Sequence, residues 1–184
     1  MASVLVPLAQ GCEELEAVTI TDLLTRAGIK VVTAGLDKQP VIASRGMRLI
    51  PDMDLDQALQ QDYDMLVLPG GLPGADHLND DGRIQALVRR MATADKYVAA
   101  ICAAPKVLAT AGLLDNRRAT SFPGALNQST ISGLDYRQEA VVVDHRLVTS
   151  RGPGTAMDFA LKLIELLTTK AKRDEVESQL QRVQ

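Results

Sequence analysis

The sequence predicts an α/β fold: a mostly parallel sheet with helices on both faces. Three observations carry this. Apolar runs of strand length recur at Val4 to Ala9, Lys30 to Leu36, Met65 to Leu68 and Tyr97 to Ile101. Segments with helical spacing of apolar residues stand between them. Val4 to Ala9 and Met65 to Leu68 are apolar without alternation, as strands covered on both faces are.

Taken in order, the first run leads into a helix from Glu13 to Ala27, ended by Gly28. Lys30 to Leu36 is the second strand. Val41 to Ile50 reads as a short hairpin turning near Ser44-Arg45-Gly46, and Asp54 to Gln60 as a short helix. Pro69-Gly70-Gly71 halts the third strand. Asp80 to Met91 is helical, with Ile84, Leu87, Val88 and Met91 along one side. Ala103 to Ala111 follows the fourth strand directly, with Pro105 in its first turn, where a missing N–H does no harm. Arg118 to Asp135 is less regular. Val141-Val142-Val143 and Leu147-Val148-Thr149 read as an outlying hairpin turning at Asp144-His145-Arg146. Thr155 to Leu167 is amphipathic, with Ala156, Phe159, Ala160, Leu163 and Leu167 inward. Asp174 to Val183 reads as a polar surface helix.

The chain of 184 residues suits a single domain, 1–184, and can bury about 70% of its unfolded surface. A net charge of -3 calls for neither nucleic acid nor an anionic membrane. Aromatics at 3%, without Trp, argue against a base-stacking platform. The N-terminal run lacks a basic region and reads as a strand rather than a signal peptide. No apolar stretch approaches the ~20 residues of a membrane span. Two cysteines and no need of a disulfide fit a reducing compartment, so the expected location is cytoplasmic.

Ligands in open α/β sheets bind beyond the carboxyl ends of the strands. Cys102 stands at such an end, in Val98-Ala99-Ala100-Ile101-Cys102-Ala103-Ala104-Pro105, where a strand runs into a helix with almost no loop. That is the pattern of a nucleophile elbow with cysteine in place of serine. A helix N-terminus lowers a thiol pKa, so a thiolate is expected at neutral pH. The competing interpretation is an inert core cysteine. Glu16 falls on the apolar stripe of Ile20, Leu23, Leu24 and Ala27. A carboxyl pointing inward is costly unless protonated or hydrogen-bonded, and burial raises its pKa. Protonated, it can donate to a Cys102 thiolate; alternatively, the Glu13, Glu14 and Glu16 group merely favours a helix start. Gly70 and Gly71 let backbone N–H groups approach a ligand oxygen, or form a plain turn. His77 follows that turn, His145 sits at a hairpin tip, and no metal-ligand spacing is present. Cys12, before the first helix, is on the right edge of the sheet to act as a resolving thiol, or is a bystander.

Five strings carry a resemblance: Gly11-Cys12-Glu13-Glu14-Leu15-Glu16, Arg26-Ala27-Gly28-Ile29-Lys30-Val31, Val67-Leu68-Pro69-Gly70-Gly71, Ala99-Ala100-Ile101-Cys102-Ala103 and Thr149-Ser150-Arg151-Gly152-Pro153-Gly154-Thr155. In order and over nearly the whole chain, the sequence resembles the ThiJ/PfpI superfamily, and within it the DJ-one/YajL-like branch. The resemblance implies a flavodoxin-like three-layer sandwich and a homodimer packed partly through the first helix. It implies Cys102 as nucleophile and redox-sensitive thiol, Glu16 as its protonated partner, and backbone donors at Gly71 and Ala103, with Gly70 beside them. Arg45, His77, Phe122, Pro153, Cys12 and Arg26 are further residues that can line the site.

The implied function is a cysteine-dependent glyoxalase or deglycase, without cofactor or metal. Its substrates would be methylglyoxal or glyoxal and their early adducts, including glycated protein, in an oxidative-stress protective role. The alternative is a redox-regulated chaperone or sensor working through oxidation of Cys102. Two departures matter. Animal relatives carry Thr-His-Pro where this chain has Ser121-Phe122-Pro123, so a histidine is missing. Protease-like relatives place histidine directly after the cysteine, where this chain has Ala103, which disfavours a cysteine peptidase. An amidotransferase-like hydrolase would need a late base, and only the poorly placed His145 is offered.

Overall fold

The computed structural model describes residues 1–182. In chain order the elements are β1 (Ser3–Leu8), α1 (Glu14–Arg26), β2 (Lys30–Gly35), β3 (Val41–Ile42), β4 (Arg48–Leu49), β5 (Met53–Asp54), α2 (Leu55–Ala58), β6 (Met65–Leu68), α3 (Gly74–Asp80), α4 (Gly82–Thr93), β7 (Tyr97–Ile101), α5 (Pro105–Thr110), β8 (Arg118–Ala119), β9 (Asp135–Tyr136), β10 (Val141–Asp144), β11 (Leu147–Ser150), α6 (Ala156–Leu167) and α7 (Lys170–Gln179). Seven strands form one sheet in the order β10-β11-β7-β6-β1-β2-β5. Every pairing in it is parallel except β10 with β11.

The strands split their side chains between two cores, which explains their continuous apolarity. Val4 and Val6 of β1, Met65 and Val67 of β6, and Ala99 and Ile101 of β7 pack with α1, α6 and Val176 of α7. The intervening Leu5, Leu66, Leu68, Val98 and Ala100 pack with α2, α3, α4 and α5. Successive strand residues point to opposite faces, so a strand with a core on each side has no polar face. The result is the expected three-layer α/β architecture. Among the described residues no helix is long and apolar enough to cross a membrane.

Several elements differ from expectation. The hairpin expected to be outlying is part of the main sheet: β11 lies between β10 and β7, in register Ser150 to Ile101. Helix α3 was not expected, because Pro69-Gly70-Gly71-Leu72-Pro73-Gly74 reads as loop and only Ala75 and Leu78 face the core. Asp81 ends α3 in an extended conformation and caps α4, accepting from the Arg83 and Ile84 N–H groups, so α4 starts later than read. The irregular region holds the short parallel pair of β8 and β9. Helix α7 starts four residues earlier than expected, where the Thr169 side chain accepts from the Lys172 N–H. It is also not wholly superficial, since Val176 is buried. The expected end of that helix, Val183, lies outside the described residues.

Candidate active site

The carboxyl ends of β1, β6, β7 and β11 lie side by side along one edge of the sheet. Cys102 follows β7 with φ at 63°, a left-handed conformation for a residue that is not glycine. Such backbone costs on the order of 1–3 kcal/mol and persists only when its surroundings impose it. Here they do. The Cys102 N–H donates to the Ser150 carbonyl at 3.0 Å, and its carbonyl accepts the Phe122 N–H at 2.8 Å. Neighbours from β11 and from the loop after β8 thus clamp the elbow, and its sulfur faces the end of β6.

Glu16 reaches the same place from α1. It is fully buried, as its position on the apolar stripe requires. Its Oε2 accepts the Gly70 N–H at 2.8 Å. Its Oε1 has no nitrogen or oxygen partner among the described residues. The carboxyl's other polar contact is the Cys102 side chain. Burial is the largest influence on Glu16 and pushes it up to about 7, against the Gly70 N–H, which pulls down.

The expected lowering of the Cys102 pKa is not found. Burial, then the nearby Glu16 charge, push the thiol up to about 12, opposed by the N–H groups of Gly71 and Ala103. Helix α5 has six residues and offers little macrodipole to offset this. Carboxyl and thiol disfavour each other's anions, so they titrate as a pair that is neutral below about pH 7 and carries one negative charge above it. With the proton on sulfur, Glu16 is the base; with the proton on Glu16, sulfur is the nucleophile.

The glycines are required by close approach. A Cβ built on Gly70 would sit 2.6 Å from the Cys102 Cβ and 2.8 Å from Glu16 Oε2. Gly71, at φ +88°, leaves room for the Cys12 backbone, 2.7 Å from where its Cβ would be. Of the three expected backbone donors, Gly71 and Ala103 lie against the sulfur, whereas the Gly70 N–H is engaged by Glu16 and is not free for a substrate oxygen.

The remaining expected residues divide. Phe122 belongs to the site through its N–H and through its ring, which flanks Gly152. Pro153 opens the turn before α6, and its neighbour Gly152 makes the approach, with a built Cβ 3.9 Å from the Cys102 Sγ. Ser150 and Gly152 belong to the Thr149 to Thr155 string read from the sequence, which does not say what they touch. The pairing of β11 with β7 brings them to the site, and a sequence read strand by strand does not show that pairing. Cys12 is fully buried, its thiol pushed up to about 12 by desolvation, and both cysteines are free. Arg45 is exposed and donates its backbone N–H to Glu14 at 2.9 Å, while Arg26 pairs with Asp22 on the surface of α1. His77 lies on α3 with Nδ1 2.9 Å from the Gln10 carbonyl, lining a cavity of about 360 Å³ of which Cys102 is not part. His145 is exposed at the β10–β11 turn, at the other end of the sheet from Cys102. Arg45, Arg26, His77 and His145 thus make their polar contacts away from Cys102.

The family model described as DJ-1/PfpI matches residues 2–166. The chain belongs to the DJ-1/PfpI family. It is 42% identical over 176 residues to Protein dj-1beta of Drosophila melanogaster, covering 95% of this chain and 94% of the fly protein. The crystal structure of Drosophila melanogaster DJ-1beta superimposes with a TM-score of 0.94 at 40% identity, covering 100% of this chain and 99% of that one. An oxidized Toxoplasma gondii DJ-1 gives a TM-score of 0.93 at 37% identity, with 100% of both chains covered. A third DJ-1 family relative, named glutathione-independent glyoxalase DJR-1.2 of Caenorhabditis elegans, is 35% identical over 166 residues, 90% of this chain and 88% of that protein.

Proposed function

We propose that this protein is a cofactor-independent glyoxalase, acting on methylglyoxal or glyoxal and on the early adducts these form with amines and thiols. The observation that carries the reading is the Glu16–Cys102 pair: one buried carboxyl against one thiol, with the Gly71 and Ala103 N–H groups beside the sulfur. The name of the nematode relative points to the same chemistry.

The pair suffices for the atoms to be moved. Sulfur adds to the aldehyde carbon of methylglyoxal as the thiol proton passes by way of Glu16 to the carbonyl oxygen, giving a hemithioacetal. Glu16 then takes the proton from the former aldehyde carbon and returns one to the adjacent carbon, giving the thioester of lactate. Water cleaves that thioester, restores the thiol and releases lactate. The net change is addition of one water, with no external oxidant or reductant. A base near 7 is suited to such transfers at neutral pH.

A second reading, a redox-regulated sensor or chaperone, is favoured by the unpartnered Glu16 Oε1, which can donate a hydrogen bond to an oxidised sulfur when protonated. A peptidase or amidotransferase-like role finds no histidine base beside Cys102. A cytoplasmic homodimer is part of the proposal; Leu15 and Val18 of α1 are 50% and 43% exposed and supply apolar surface for a second copy.

The test is lactate formation from methylglyoxal by wild type, Cys102→Ser and a free-thiol blank. Turnover by wild type alone is expected. Equal rates in all three would overturn the glyoxalase reading and leave the redox one.

A further inference from the structure

The sulfur has a narrow approach. Among the described residues placed against it, Glu16, Gly70, Gly71, Ala103 and Gly152 are buried, and Phe122 alone is exposed, at 50%. A Cβ built on Gly152 would lie 3.3 Å from Phe122 Cδ2 and 3.9 Å from the Cys102 Sγ. A methyl group on Gly152 would therefore touch both the ring edge and the sulfur. The ring's backbone is tied down: its N–H bonds the Cys102 carbonyl at 2.8 Å, and its carbonyl accepts the Ala125 N–H at 2.9 Å and the Ser121 hydroxyl at 3.0 Å. Ser121 is itself fully buried. An anchored aromatic edge cannot exchange protons, but it can exclude by size and by polarity.

We propose that Phe122 and Gly152 form a slot that sizes the group carried by the carbonyl next to the one Cys102 attacks, admitting hydrogen or methyl and rejecting bulkier groups. This rests on the glyoxalase reading for its substrate, but the slot itself is a property of access to the sulfur. Gly152 has φ at 164°, extended backbone open to any residue, so alanine there is a matter of space and not of strain. Adding that methyl narrows the slot; removing the Phe122 ring opens it. A methyl-sized mismatch in such a pocket typically changes rates about 10- to 200-fold.

Two matched reagents test the slot without requiring turnover: iodoacetamide and its N-phenyl derivative, with modification of Cys102 followed by mass spectrometry. The ratio of their rates cancels any change in the thiol's ionisation. Phe122→Ala should raise the N-phenyl to parent ratio at least about tenfold, and Gly152→Ala should lower it by a similar factor. Phe122→Leu, which keeps bulk, should fall between wild type and Phe122→Ala. With oxoaldehydes, Phe122→Ala should shift kcat/KM from methylglyoxal toward phenylglyoxal in the same proportion. An unchanged reagent ratio in both Phe122→Ala and Gly152→Ala overturns the slot, whatever the activity. Shifted reagent ratios in a protein without turnover uphold the slot and remove the glyoxalase reading instead.

Discussion

Glu16 Oε2 and the Cys102 Cβ converge on the space left by the missing side chain of Gly70, lying 2.8 Å and 2.6 Å from where its Cβ would be. The carboxyl comes from α1 and the thiol from the end of β7, and the two meet because Gly70, at the end of β6, keeps its own volume out of the way. The proton that both groups want is thereby confined to one pair. Everything expected of the site follows from which atom holds that proton and what can approach it.

Because Glu16 is raised to about 7 from 4.5, its ionisation opposes folding. The group contributes no penalty below pH 4.5. The penalty grows between 4.5 and 7 and is complete above, since the folded state keeps a proton that the unfolded chain has released. Glu16→Gln cannot ionise. It should therefore be more stable than wild type at pH 8, by about 3 kcal/mol, and nearly equal to it at pH 4.5. Urea unfolding at the two pH values measures this; a difference independent of pH would show that Glu16 is not titrating in the folded protein.

The same pair governs reactivity. Iodoacetamide modification of Cys102 should rise through a step near pH 7 as the pair loses its first proton, whichever atom then carries the charge. Glu16→Gln should abolish that step and leave only the rise that follows the thiol itself. Cys12, fully buried, should react at least about tenfold more slowly than Cys102 in the native protein. Preferential labelling of Cys12 would remove Cys102 from its assigned role.

Gly70→Ala places a methyl group into the Glu16–Cys102 contact and against the Ile101 carbonyl, 2.8 Å away. Overpacking of this kind costs about 1–3 kcal/mol. The variant should unfold at lower urea and also lose the step near pH 7, since the carboxyl and the thiol must separate. Retention of the step with lowered stability would mean that the backbone has shifted as a whole and kept the pair together.

The sheet and the pair were legible in the sequence for local reasons. Val4 to Ala9 and Met65 to Leu68 announce strands with two covered faces, and Glu16 betrays itself by sitting on an apolar stripe. Cys102 is marked by the absence of a loop between β7 and α5. What was not legible depends on partners distant in sequence. The direction of the thiol's shift is set by burial beneath segments around Gly70, Phe122 and Gly152, and neither the elbow motif nor a six-residue helix reveals that. His77, Arg45 and Arg26 were adjacent to the right motifs, yet their helix and turn carry them elsewhere. Helix α3 escaped because proline and glycine dominate its approach.

The exposed Leu15 and Val18 on α1 are expected to be covered by a second copy of the chain. Light scattering should give about twice the 19.8 kDa chain mass at micromolar concentration. Leu15→Asp with Val18→Asp should return it to one chain, because two charges on a buried apolar contact are costly to desolvate. A monomeric wild type would refute the dimer.

Mild peroxide should add oxygen to Cys102 and not join it to Cys12. Oxidation proceeds through a sulfenic acid, which is then either resolved by a second thiol or oxidised further. Cys12 is the one other cysteine in the chain, and it is fully buried, its thiol held protonated by desolvation and the acidic groups of Glu14, Glu13 and Glu16. A protonated thiol is a poor nucleophile, so resolution is slow. Glu16 is already in contact with the sulfur and has Oε1 unengaged, and when protonated it donates to a sulfinate oxygen. Intact mass should therefore show a gain of two oxygens, and Glu16→Ala, which removes the donor, should carry oxidation on to three. A loss of two hydrogens instead would place Cys12 within reach of Cys102 and make the site a thiol–disulfide switch.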